Sequence, residues 1–317
     1  MVEGLIFILG LIGLWLGTKW VVKSAIGIAN RFNLSHAFVG LAILSIGTDL
    51  PEVFVSVNAA LLQLKGIESS GIITGNAIGS SISQISIILG LSGLLLNFTT
   101  TKKELIRNSI ALISAMLLLF AIGFDGEISK TDGFLLLVTY LIYYIVLLKT
   151  DSKEAGKNVI IQHYKPIMLA VFLVFGFALL IVSSHFVVSN ALHFAEKWGI
   201  TQSFVGIVII GLGTSLPELS VSVGAALRKS PGMSLGNIIG STIFDILVPI
   251  GLASSITNIS MESNLIKFDL PVLFIITSLV LIFLATKRGI SRIEATILII
   301  LYMIYVLAKL SLFEGKF

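Results

Sequence analysis

The sequence predicts an all-α, polytopic membrane protein: ten transmembrane helices in two inverted five-helix repeats, with helices 2 and 7 broken. Three observations predict it. The 317 residues are 56% hydrophobic and only 12% charged, against about 25% charged in a soluble domain. Apolar stretches of about 20 residues, the length that crosses a bilayer, recur along the whole chain. The two halves of the chain also repeat each other, polar letters included.

The spans run roughly 3–30, 36–63, 71–97, 105–123, 133–149, 166–195, 203–227, 233–256, 268–286 and 291–312. The first, opening "MVEGLIFILG", lacks a basic leader and a small-residue cleavage site, so it reads as a span and not a signal peptide. The first repeat takes residues 1–150 and the second 166–317, joined by the polar linker 151–165, too short for a folded regulatory domain. There are no cysteines, which excludes a disulfide framework and a thiolate metal site. A net charge of +4 says nothing of nucleic acid, and no obligate protein partner is evident. The partners expected are the lipid bilayer and small ions.

Basic residues set the orientation. With the sides numbered alternately, fifteen Lys and Arg fall on one side and six on the other, the six being Lys65, Lys130, Lys197, Lys267, Lys309 and Lys316. The richer side is cytoplasmic. The linker therefore faces the cytoplasm, and both termini face outward.

The repeat is read directly. "VGLAILSIGTDLPEVFVSV" (39–57) and "VGIVIIGLGTSLPELSVSV" (205–223) share eleven of 19 positions without a gap. "GNAIGSSISQI" (75–85) and "GNIIGSTIFDI" (236–246) share seven of 11. A unit of five spans is odd, so its second copy enters the membrane from the opposite side. Inverted repeats with interrupted helices mark secondary transporters, with the site near the midplane.

Of the 17 acidic residues, thirteen fall in loops or near span ends; Asp49, Glu52, Glu218 and Asp245 lie well inside spans, all within the repeated motifs. An intramembrane carboxylate costs about 2.5–3.5 kcal/mol on insertion scales and marks a functional site. No intramembrane Lys or Arg stands out as a partner, which leaves cations or protons to neutralise the cluster.

Pro51 and Pro217 cannot donate a backbone hydrogen bond, and the residue before each resists the α conformation. Spans 2 and 7 should break at "GTDLP" and "GTSLP", freeing carbonyls around Thr48 and Thr214 beside Glu52 and Glu218. In spans 3 and 8, Asn76, Ser80 and Gln84 share one helix face, as do Asn237, Ser241 and Asp245. Gly75, Gly79, Gly236 and Gly240 form GxxxG pairs that permit close packing. The candidate cation ligands are Ser45, Thr48, Asp49, Glu52, Asn76, Ser80, Gln84, Thr214, Ser215, Glu218, Asn237, Ser241 and Asp245. An all-oxygen cage of this kind suits hard cations such as Ca2+ and Na+. His185, in span 6, reads as a hydrogen-bonded packing residue in preference to a proton relay. No Ser/His/Asp or HExxH arrangement is present, so an enzyme is not expected, and no cofactor beyond the transported ions.

At these motifs the chain resembles the cation/Ca2+ exchanger superfamily, in particular the prokaryotic Na+/Ca2+ exchangers. The family pattern G-T-S-x-P-E, then G-N-x-x-G-S-x-x-x-N/D, is met by "GTDLPE" with "GNAIGSSISQ" and by "GTSLPE" with "GNIIGSTIFD". The resemblance covers all ten spans. It implies a Ca2+ site alternating with Na+ sites in the plasma membrane of a prokaryote, with helices 1 and 6 moving against the rest. It matches Glu52, Glu218, Thr48 and Thr214 to the Ca2+ ligands, and Ser80, Ser241, Ser215 and Asp245 to residues around the Na+ and water sites. Two positions depart from the pattern: Asp49 stands for Ser, and Gln84 for Asn or Asp. The expected function is Ca2+/Na+ antiport by alternating access. The alternatives are a proton-coupled exchanger of divalent (Ca2+, Mn2+ or Mg2+) or monovalent cations using Asp49, and, more remotely, a passive cation channel.

Overall fold

A computed structural model describes residues 2–31, 45–96, 98, 100–151, 165–227, 231–287 and 289–314. Among the described residues the regular structure is helical, apart from a two-residue antiparallel ribbon. The helices are α1 (Val2–Arg31), α2 (Ser45–Thr48), α3 (Leu50–Gln63), α4 (Ser70–Leu95), α5 (Lys102–Gly123), α6 (Lys130–Asp151) and α7 (Pro166–Trp198). They continue with α8 (Gln202–Thr214), α9 (Leu216–Leu227), α10 (Pro231–Ile256), α11 (Leu265–Thr286) and α12 (Arg292–Glu314). Among the described residues eight helices are long and apolar enough to cross a membrane, and α8 with α9 makes a ninth span bent by 41°. The upstream part of the expected second span, 36–44, lies outside the described residues; α2 and α3 are its remainder.

The two breaks are one residue long. Asp49 (φ −82°, ψ 6°) separates α2 from α3, and Ser215 (φ −78°, ψ 8°) separates α8 from α9. Both sit in the sparsely populated bridge region, with nearly the same angles. Pro51 and Pro217 follow in the first turn of the new helix, where a missing N–H costs nothing. The lost proline amides are those that would have served the Gly47 and Gly213 carbonyls in an unbroken helix.

Helices α4 and α10 are the centre of the molecule, with about four-fifths of each span enclosed by protein (78% and 83%). Serines, threonines and glycines dominate their inner faces, and hydroxyls that have no solvent bond back to the preceding turn: Thr74 to the Ser70 carbonyl (2.9 Å), Ser81 to Ala77 (2.8 Å) and Thr242 to Ile238 (2.8 Å). Around them α5, α6, α11 and α12 present exposed Leu, Ile, Phe and Met, such as Ile110, Phe134, Ile275 and Met303, an apolar rim suited to lipid.

Helix α4 crosses α8 at very short range. A Cβ built on Gly79 would lie 2.5 Å from both the Cα and the carbonyl oxygen of Ile207. The clash is with backbone, which has no rotamer to yield. Gly79→Ala should therefore lower the unfolding midpoint in detergent, the overpacking amounting to about 1–3 kcal/mol; an unchanged midpoint would mean that the two helices part freely. The expectation that Gly75 and Gly79 permit close packing is met, since Gly75 likewise abuts Ser203. No described residue packs within 4 Å of the matching positions on Gly236 and Gly240. Positions 37–41, which correspond by the repeat to 203–207, lie outside the described residues.

Helices α1 and α7 form a second close pair. A Cβ on Gly17 would meet the Gly176 carbonyl oxygen at 3.0 Å, and one on Gly176 would meet that of Gly17 at the same distance. At one end Glu3 binds His193 (3.0 Å) and Lys197 (3.1 Å) across this interface. At that end of the molecule the ribbon pairs Glu127–Ile128 with Ile259–Ser260, stapling the α5–α6 turn to the α10–α11 turn. Gln63 donates to the Asn258 carbonyl (2.8 Å) and Gln202 to the Glu68 carbonyl (2.8 Å), binding α3 and α8 to the same cap.

Candidate cation site

The breaks in α2/α3 and α8/α9 meet against α4 and α10. Asp49, Glu52, Glu218 and Asp245 are all at most 1% exposed, and Glu218 lies within electrostatic reach of the other three. Asp49 faces Ser241 and Glu218, Glu52 faces Thr214, and Asp245 faces Ser80 and Gln84. Four carboxylates are thus collected from two repeats into one enclosed volume.

The neutral residues form a scaffold with the symmetry of the repeats. Asn76 Nδ2 donates to Ser56 Oγ (3.5 Å) and to the Glu52 carbonyl (3.3 Å), holding α4 on α3. Asn237 Nδ2 donates to Ser222 Oγ (3.1 Å), holding α10 on α9 at the equivalent place. Thr214 Oγ1 donates to Asn76 Oδ1 (3.1 Å), and Ser83 Oγ to Ser215 Oγ (3.3 Å), so the second break is tied to the first repeat's central helix. Ser80 is satisfied by the Asn76 carbonyl (2.7 Å). Thr48 is buried beside Asp49. Ser45 opens α2, and its side chain lies outside the described residues.

Backbone irregularity recurs beside the site. A π-turn begins at Gln84, where the Leu89 amide bonds the Gln84 carbonyl five residues back. At the matching place in α10, Pro249 has no amide to give the Asp245 carbonyl. Different devices loosen the two central helices at the same point. Inserted π-turns frequently mark functional sites.

One feature decides what this site can do. Among the described residues seven carboxylate oxygens have no hydrogen-bond partner: both of Asp49, both of Glu52, both of Glu218, and Oδ1 of Asp245. The Ser241 hydroxyl is unpartnered too. Buried polar atoms are normally bonded, and a buried charge is paired or binds a metal. Among the described residues no three acidic or histidine side chains close on one point as a metal centre. An ion here must therefore add hydroxyl and carbonyl oxygens to the carboxylates, the mixed shell that hard cations take.

One expectation is corrected, and one buried ion pair goes beyond the sequence reading. Asp269, placed near a span end by sequence, is fully buried in α11 and ion-paired with Lys309, which is itself 2% exposed. This pair is separate from the four-acid cluster and is an addition to the sequence reading. Tyr305 completes the cluster, its hydroxyl donating to Asp269 Oδ1 at 2.6 Å. His185 is not a packing residue. It is exposed on α7, lining a cleft of about 700 Å3 with Glu68, Ser189 and Gln202, its ring edge-on to Phe186 at 5.9 Å.

A membrane-embedded oxygen cage between two similarly broken helices defines a cation exchanger. The family comparison agrees: the model for the sodium/calcium exchanger protein family matches residues 3–149 and 168–311, and the chain belongs to that family. It is 34% identical to an uncharacterised membrane protein of Methanocaldococcus jannaschii, covering 94% of this chain and 95% of that one. It is 28% identical to a sodium/calcium exchanger of Methanosarcina acetivorans, covering 96% and 97%. Among solved structures, the sodium-calcium exchanger NCX_Mj superposes with a TM-score of 0.66 at 32% identity, covering 96% of this chain and 97% of that one.

Proposed function

We propose that the chain exchanges Ca2+ for Na+ by alternating access, in the plasma membrane of a prokaryote, at the site between the two breaks. The observation that carries this reading is the set of seven buried carboxylate oxygens with no partner among the described residues. Glu52 and Glu218, one from each repeat, supply the central charge for the divalent ion, with Thr48 and Thr214 beside them. Two or more monovalent ions offset the same carboxylates when Ca2+ leaves. Competition for shared oxygens makes occupancy mutually exclusive, and exclusive occupancy is what couples the two fluxes. The names of the exchangers that the chain resembles support the choice of ions.

The two halves act as inverted five-span units, ten spans in all. The matched angles at Asp49 and Ser215 and the matched Asn76–Ser56 and Asn237–Ser222 bonds support that relation. The close α1–α7 pair, joined through Gly17 and Gly176, suits a unit that moves as one body against the rest. The excess of Lys and Arg on the linker side supports a cytoplasmic position for that side.

Reconstituted vesicles test the reading. An outwardly directed Na+ gradient should drive accumulation of radioactive Ca2+, and collapse of that gradient should stop it. A second reading, proton coupling, is favoured by the extra acid at Asp49. Uptake driven by a pH gradient and indifferent to Na+ would replace the first reading with the second.

A further inference from the structure

The two repeats each bring one Glu and one Asp, but the Asp stands in different places. In the second repeat the break carries Ser215 and the central helix carries Asp245; in the first the break carries Asp49 and the central helix carries Gln84. We propose that this is one coupled exchange: Asp49 is the first repeat's cation ligand, and Gln84 takes over, as a fixed amide, the place beside Asp245 that a cation would otherwise fill. The inference rests on the exchanger reading above and says where its coupling cations bind.

Geometry carries it. Gln84 Nε2 donates to Asp245 Oδ2 at 2.8 Å, and Thr242 Oγ1 donates to Gln84 Oε1 at 3.2 Å. Thr242 thereby fixes which end of the amide faces Asp245. All three side chains are fully buried. A carboxylate at position 84 would stand against that of Asp245 at hydrogen-bond range, and two like charges there need a cation or a shared proton between them. The amide removes that need and joins α4 to α10 directly. It leaves Asp245 one open oxygen, whereas both oxygens of Asp49 are open. Asp49 faces the fully buried Ser241 hydroxyl and Glu218. Charge removed from the central helix of the first repeat thus reappears three residues before Glu52. The site keeps four carboxylates but places three of them around the breaks.

The exchange can be reversed. Full-length protein in detergent would be equilibrated with radioactive Na+ and, separately, radioactive Ca2+, and bound ions counted per folded chain. Wild type, Asp49→Ser, Asp49→Asn and the double variant Asp49→Ser with Gln84→Asp would be compared, with thermal unfolding as a check on folding. Both single variants should lose about one bound Na+ per chain, and the double variant should regain it. In vesicles the Hill slope for Na+ should fall and recover in parallel. An unchanged count in both single variants, or no recovery in the double, overturns the inference while wild type still binds both ions. A wild type that binds neither ion overturns the exchanger reading, and this inference with it.

Discussion

Glu218→Gln, and equally Glu52→Gln, should reduce Ca2+ exchange to background while leaving the fold intact. The substitution exchanges one carboxylate oxygen for an amide nitrogen of the same size and removes one charge. Among the described residues neither oxygen of either glutamate has a hydrogen-bond partner, so the substitution breaks none there. Both residues are fully enclosed, and the surrounding scaffold of Asn76, Thr214 and Ser83 is bonded through other atoms. Ligand charge count shifts Ca2+ affinity by orders of magnitude in oxygen cages, so binding should weaken by at least about 100-fold. Two readouts separate charge from fold: Ca2+-dependent thermal stabilisation should vanish, and the unfolding midpoint without Ca2+ should hold or rise, because one buried charge has gone. Near-normal exchange in either variant would remove that glutamate from the site.

The breaks and the four central acids were legible because membrane energetics makes them conspicuous. A Gly-Thr-x-Leu-Pro-Glu run inside an apolar span, present twice, has no ordinary packing explanation. Period-4 spacing put Asn76, Ser80 and Gln84 on one face, and the structure keeps them together. What sequence does not show is partnership. Gln84 reads as a ligand by its position, yet its amide is committed to Asp245, 161 residues away. Asp269 sits at the first turns of its span, where a charge is usually assigned to the interface; only the fold brings Lys309 to it. His185 stands in an apolar stretch and so reads as a packing residue, but helix α7 turns that position outward onto a cleft at the α3 and α8 ends. Hydropathy locates a residue along the membrane normal, and the helix face that it occupies depends on neighbours distant in sequence.

The pair Asp269–Lys309 should carry the largest stability effect outside the cation site. Both are enclosed between α11 and α12, Tyr305 donates to the second Asp269 oxygen, and Lys309 lies 5.8 Å from the centre of the Phe268 ring. Every polar atom of the carboxylate is thus served, and none of the cluster's members belongs to the exchange site. Lys309→Met keeps the length of the side chain and deletes its charge. It strands a buried carboxylate, a change that costs about 3–5 kcal/mol when one partner of a buried pair is lost. The unfolding midpoint in detergent should fall by several degrees. Adding Asp269→Asn should return most of the loss, because the amide oxygen still accepts from Tyr305 and no charge remains to be neutralised. This recovery distinguishes the pair's electrostatics from simple loss of packing, which the second substitution would leave unrepaired. A Lys309→Met protein that melts like wild type would mean that Asp269 needs no counter-charge, and a double variant no better than the single would assign the cost to the lysine stem. Residual Ca2+ exchange in folded Lys309→Met should stay near wild type, since the pair anchors the periphery and touches neither break.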